Sequence, residues 1–189
     1  MRKINFLNLG KHPITNNFLR TPKPTKEYFY NLKIVFDRDT KLISLGKFVP
    51  PKKMFNDSYA HRASASKTMK LAYSQLAKHL KKKFNPKSIL EIGSNDGVFI
   101  NHFNKIKNFG VEPCKNLARI TKKMGIKTYG EFWTYRLSNK IVKKYGKIDI
   151  IYSANTISHI HNLSETFKAI KNLLKDGGIF ILEDPSLIE

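Results

Sequence analysis

One stretch limits what this chain can become: Ile89-Leu90-Glu91-Ile92-Gly93-Ser94-Asn95-Asp96-Gly97. An apolar run of strand length ends in an acid, then turns through two glycines into a segment expected to be helical from about Asp96 to Ile106. Gly93 permits the tight turn, and Gly97 lets backbone approach a ligand closely. This is neither the Gly-x-Gly-x-x-Gly of dinucleotide enzymes nor a P-loop, which needs Lys-Ser/Thr after its last glycine. Glu91, just ahead of the turn, points to a cationic or amino-bearing ligand, such as the methionine end of S-adenosylmethionine. A second acid, Glu112, ends the next strand about 20 residues later, where a carboxylate meets the hydroxyls of a ribose.

The rest of the chain fits that opening. From Lys87 strands and helices alternate: Ser88–Ile92, Phe109–Glu112, Ile126–Tyr129, Ile148–Ala154 and Ile179–Glu183 read as strands. Helices are expected over Lys115–Met124, over the stretch carrying Trp133, Leu137, Ile141 and Tyr145, and after the capping box Asn162–Glu165, with Phe167, Ile170 and Leu174 inward. Asp176-Gly177-Gly178 should end the last of these. The pattern predicts an α/β, Rossmann-like parallel sheet with helices on both faces. Upstream, Ser66 caps a helix bearing Met69, Ala72, Leu76, Leu80 and Phe84. Residues 1–30, with Pro13, Pro22 and Pro24, should be irregular and partly extended. Leu32–Phe36 and Lys41–Leu45 should form a hairpin around Asp37–Thr40. The resulting division is a small segment over 1–60, a linking helix over 61–86 and a ligand-binding domain over 87–189.

Composition narrows the partners. The net charge is +21, yet only six of the 35 basic residues are arginine and the lysines are spread along the chain. Nucleic-acid readers depend on clustered cations and on arginine's planar fork, so a solvated basic surface is the simpler reading. Cys114 is the only cysteine, which excludes an internal disulfide and a multi-cysteine metal site. No apolar run has the length of a membrane span, and Met1–Phe18 lacks the apolar core of a signal peptide. The expected compartment is the cytoplasm.

Several segments, in order, resemble the sugar C-methyltransferases that act on nucleotide-linked deoxysugars. They are Leu7–Leu19, Tyr59-Ala60-His61-Arg62-Ala63-Ser64-Ala65-Ser66, the Glu91–Gly97 loop, Gly110-Val111-Glu112-Pro113 with Asn116, and Ala154-Asn155-Thr156-Ile157-Ser158-His159-Ile160. The resemblance implies a class I methyltransferase fold, S-adenosylmethionine as cofactor and a nucleotide-sugar substrate. It implies cofactor contacts from Glu91, Gly93, Asn95, Asp96, Gly97, Glu112, Pro113, Asn116, Phe132, Ala154 and Asn155. His159, just past the fourth strand, is the expected proton acceptor, and Tyr59 a substrate-side acid/base group. Family members hold zinc near the N-terminus through cysteine pairs; here Phe36-Asp37-Arg38-Asp39 stands at one such pair, so no metal is expected. The family also continues past the fifth strand, through a Glu-His motif, so the sheet is expected to be incomplete at its C-terminal side. The alternatives are a non-catalytic cofactor-binding or partner subunit, alone or as a homodimer, and an RNA methyltransferase.

Overall fold

In the computed structural model, residues 3–19, 21 and 27–185 are described. Pro22 and Pro24 lie outside them, as do Ser186–Glu189. The chain divides into two compact units, residues 1–61 and 62–189.

The N-terminal unit is a three-stranded antiparallel sheet in the order β1-β2-β3, with β1 Lys3–Pro13, β2 Phe29–Asp37 and β3 Ile43–Leu45. The expected hairpin is therefore present as β2 and β3, but residues 3–13 are not irregular. They pair with β2 along its length, with two register shifts, between Asn5 and Leu7 and between Asn8 and Lys11. Those irregularities hide the period-2 signal that a regular strand would show. The β2–β3 turn is fastened by Asp37, whose Oδ1 accepts from the backbone N–H groups of Asp39 (2.9 Å) and Thr40 (3.1 Å). A single turn, α1 (Pro51–Met54), follows.

The C-terminal unit holds a five-stranded sheet in the order β6-β5-β4-β7-β8, every pair parallel. Its strands are β4 Ser88–Ile92, β5 Lys107–Val111, β6 Lys127–Tyr129, β7 Ile148–Ala154 and β8 Leu174–Glu183. Helices α2 (Lys67–Phe84), α3 (Lys115–Lys123), α4 (Tyr135–Tyr145) and α5 (Leu163–Leu173) connect and cover it. Caps read from the sequence are in place. Ser66 accepts from the Met69 N–H, and Asn162 from the Glu165 N–H.

Period-2 alternation divides the sheet into two cores. Leu90, Ile92, Phe109 and Val111 pack with Leu137 and Ile141 of α4 and Ala169 and Ile170 of α5. Ile89, Ile150 and Tyr152 pack on the other face with Tyr73, Ala77 and Leu80 of α2. By the same alternation Glu91 faces the α2 side, where it is buried.

Four expectations need correction. Residues 96–106 are not an α-helix; only Ile100–Phe103 form a 3₁₀ turn. Phe99, Ile100 and Phe103 are all fully buried, and the Asn108 carboxamide donates to the carbonyls of Phe103 and Ile106, which closes the turn early. Asn101, His102 and Asn104 are weak helix formers that do not resist this. Phe167 does not point inward: it is 44% exposed and meets Phe180 edge-on at 6.2 Å. Leu174 begins β8 instead of ending the helix, so the Asp176–Gly178 turn lies inside the strand. Trp133 precedes α4, where it is buried with its indole N–H toward the Thr166 carbonyl.

Candidate functional site

The strand order reverses between β4 and β7, and the loops leaving the carboxyl ends of those strands lie at the switch point where open α/β sheets take ligands. The β4 loop is Gly93–Gly97; the β7 loop is Asn155–His159. Gly93 has φ +75°, and a Cβ there would run into the side chain of Thr156. The two loops are therefore in direct contact, and only glycine fits at position 93.

The hydrogen bonding of the β4 loop decides which ligands it suits. Gly93 and Ser94 both donate their N–H groups to the Val111 carbonyl, at 2.8 and 3.1 Å. Asn95 N–H donates to Glu112 Oε2 (2.9 Å), Asp96 N–H to Asn95 Oδ1 (2.9 Å), and Gly97 N–H to the Ser94 carbonyl (2.9 Å). Every amide along the loop is committed inside the protein. A phosphate cradle needs such amides turned outward.

What the loop gathers instead is three carboxyl groups. Glu91, Asp96 and Glu112 are each at most 5% exposed. Burial pushes the Glu91 carboxyl well above the usual range; the Ile100 N–H opposes this, and Glu112 and Asp96 push it further up. Glu91 Oε2 is buried without a hydrogen-bond partner. Glu112 is raised chiefly by burial, while N–H groups from Cys114 (2.8 Å to Oε1) and Asn95 hold it down. The Cys114 thiol bonds the same carboxylate, so three protein donors orient it.

The site residues expected from the sequence fall into three groups. Glu91, Gly93, Asn95, Asp96, Gly97 and Glu112 converge on the β4 loop. Pro113 and Asn116 are half-buried just beyond Glu112, Phe132 is half-buried beyond β6, and Ala154, Asn155 and His159 lie at the end of β7, the last two exposed. Tyr59 belongs to the N-terminal unit, with its ring 5.6 Å from Phe55 and 6.4 Å from His61. Sequence reasoning missed Ser64, whose hydroxyl donates to Asp96 Oδ2 at 2.5 Å, and the Ala63 N–H, which donates to Asn95 Oδ1 at 2.9 Å. It also missed Asp184, which accepts from the Ser158 hydroxyl at 2.9 Å beside His159. These are contacts between distant segments and leave no local signature.

Comparison with known proteins accords with this geometry. Residues 59–187 match the family described as methyltransferase domain. The chain belongs to that family. Its curated relative, the C-methyltransferase NovU of Streptomyces niveus, is 23% identical over 199 residues, covering 98% of this chain and 46% of NovU. The chain thus spans less than half the length of that relative. A solved S-adenosylmethionine-dependent methyltransferase from Archaeoglobus fulgidus superposes with a TM-score of 0.52 at 15% identity, over 62% of this chain and 53% of that one. The five-stranded sheet is accordingly the Rossmann-like fold of S-adenosylmethionine-dependent methyltransferases. The plantazolicin methyltransferase BamL, solved with SAH and a substrate analogue, aligns with a TM-score of 0.47 at 23% identity, over 60% of this chain and 46% of its own.

Residues 1–55 match a family described as a putative zinc binding domain. The residues here do not fit zinc. That span has no cysteine, and among the described residues no group of three or more His, Cys, Asp or Glu side chains is arranged to hold a metal. Asp37 uses its Oδ1 to close the β2–β3 turn, and the His12 ring nitrogen pairs with the Leu9 carbonyl at 2.9 Å. Elemental analysis of tag-free protein is expected to find well under one zinc per chain; stoichiometric zinc would contradict this.

Proposed function

We propose that this chain binds S-adenosylmethionine at the β4–β7 switch point and serves methyl transfer to a carbon of a nucleotide-linked sugar. The observation that carries the cofactor is the β4 loop itself: its amides are all committed while three buried carboxyl groups collect around it. That arrangement suits a ligand with an ammonium and a sulfonium and disfavours a diphosphate. Glu91 is the acceptor for the cationic end, and the oriented Glu112 carboxylate is the acceptor for the ribose hydroxyls. Phe132 supplies a half-buried aromatic face for adenine. Support for carbon as the acceptor comes from the resemblance described above and from NovU, which is named a C-methyltransferase.

The cofactor brings an activated methyl; the chain must orient the acceptor and remove a proton from it. His159, on the exposed turn after β7, is the proposed proton acceptor through a ring nitrogen. Asn155 orients the substrate carbonyl, and Tyr59 is the proposed substrate-side hydroxyl. No helix among the described residues is long and apolar enough to cross a membrane.

Titration calorimetry with S-adenosylhomocysteine tests the cofactor reading. No heat at millimolar ligand with folded protein would remove it. The acids add a pH signature. In the free protein Glu91 holds its proton above the ordinary carboxylate value. That stabilising contribution is complete below the unfolded-state pKa and is lost as pH rises through the raised value. A cation favours the ionised form, so affinity should rise across the same window and binding should release protons. Titrations at mildly acidic pH in two buffers of different ionisation heat should show that release, and Glu91→Gln should remove most of it. Equal heats in both buffers would count against Glu91 as the cation's partner.

A further inference from the structure

The β4 loop is tied to the short turn that precedes α2. Arg62–Ser66 contains a short 3₁₀ turn, Ala63–Ala65, at the start of the C-terminal unit just before α2. Ser64 donates its hydroxyl to Asp96 Oδ2 at 2.5 Å, and its N–H approaches both Asp96 oxygens at 3.3 Å. Ala63 N–H donates to Asn95 Oδ1 at 2.9 Å. Asn95 Oδ1 also accepts from the Asp96 N–H, and Asn95 N–H donates to Glu112 Oε2. Asp96 is only 2% exposed, so its carboxylate is held by this turn instead of being offered to solvent.

Asn95 has φ +48°, a left-handed conformation that a non-glycine residue adopts at a cost unless its surroundings hold it. Two side-chain acceptors on adjacent loop residues, each filled from the Ala63–Ser64 turn, supply that hold. Released from the turn, Asn95 would lose the constraint that aims its N–H at Glu112. Glu112 would then lose one of the two amides that orient its carboxylate.

We infer that Ser64 is a positioning residue for the cofactor: through Asp96 and Asn95 it fixes the Glu112 carboxylate that receives the ribose hydroxyls. The inference rests on the cofactor reading above. It assigns Asp96 to aligning the loop and not to touching the ligand. It also gives the serine of the Tyr59–Ser66 motif a task at the cofactor loop.

The test compares the full-length chain with Ser64→Ala and Ser64→Thr, titrated with S-adenosylhomocysteine and with its 2′-deoxyribose counterpart. Ser64→Ala should weaken binding of the parent ligand about tenfold and of the deoxy ligand by about threefold or less, so that the preference for the intact ribose shrinks. Ser64→Thr keeps the hydroxyl and should restore both the affinity and the preference. Trp133 fluorescence checks that each variant is folded. If Ser64→Ala does not fold, Asp96→Asn, which keeps the shape and loses the charge-assisted bond, should show the same shrinkage. Wild-type affinity in Ser64→Ala or Asp96→Asn, or an equal loss for both ligands, would overturn the role assigned to Ser64. If wild-type protein binds neither ligand, the cofactor reading itself falls and takes this inference with it.

Discussion

Glu112→Ala is expected to weaken S-adenosylhomocysteine binding by about 1–3 kcal/mol, roughly five- to hundredfold. Two losses combine. The ribose hydroxyls lose their acceptor, and the amides of Asn95 and Cys114 lose theirs. The second loss loosens the loop that shapes the rest of the site. Glu112→Gln separates the two, because its carboxamide oxygen can still accept one amide while the second acceptor is gone; it should fall between wild type and alanine. Glu112→Ala should also mask Ser64→Ala, since a positioning contact has nothing to act on once its target is removed. Calorimetry on the two single variants and the double variant reads this directly. Full additivity of the two losses, or undiminished binding by Glu112→Ala, would dissociate Glu112 from the ribose.

Gly93→Ala should be the most damaging single-methyl addition in the C-terminal unit. Its φ of +75° costs an L-residue about 1–2 kcal/mol, and the new Cβ would overlap the Thr156 side chain, adding about 1–3 kcal/mol of overpacking. Thr156 cannot yield easily, because its hydroxyl donates to the Ala154 carbonyl at 2.9 Å. The urea midpoint should drop accordingly, read through Trp133, the chain's only tryptophan and a resident of this unit. Thr156→Ala in the same background should recover the steric share and leave the conformational one. A Gly93→Ala protein with an unchanged midpoint would mean that the two loops are not packed as described.

The parts of this molecule legible in its sequence are those whose causes are local. Ile148–Ala154 was readable because a parallel strand buried on both faces is a mostly apolar run, interrupted here only by Asp149 and Ser153, and the structure gives it those bounds. Ser66 and Asn162 were readable because a cap needs only the next turn of its own helix. Strand β1 was not: its partner β2 is distant in sequence, its side chains are mostly exposed, and its register shifts twice. The 96–106 segment misled because three apolar residues at helical spacing were buried by tight turns and a carboxamide cap instead. At the site, Glu91, Gly93 and Glu112 follow from strand, turn and acid in series. The bonds from Ala63 and Ser64, 32 residues upstream of their partners, have no counterpart in any periodicity.

The inward-turned amides of the β4 loop also set a limit on redesign. Cofactor exchange in Rossmann-like proteins is usually pictured as a change of side chains around a fixed turn. Here a dinucleotide would need N–H groups that now hold the Val111 carbonyl, the Glu112 carboxylate and the loop's own atoms. Freeing them means dismantling the very bonds that give the turn its shape. If Glu91 and Glu112 hold the cofactor as proposed, point substitutions there would abolish its binding, whereas an NAD site would require a transplanted backbone.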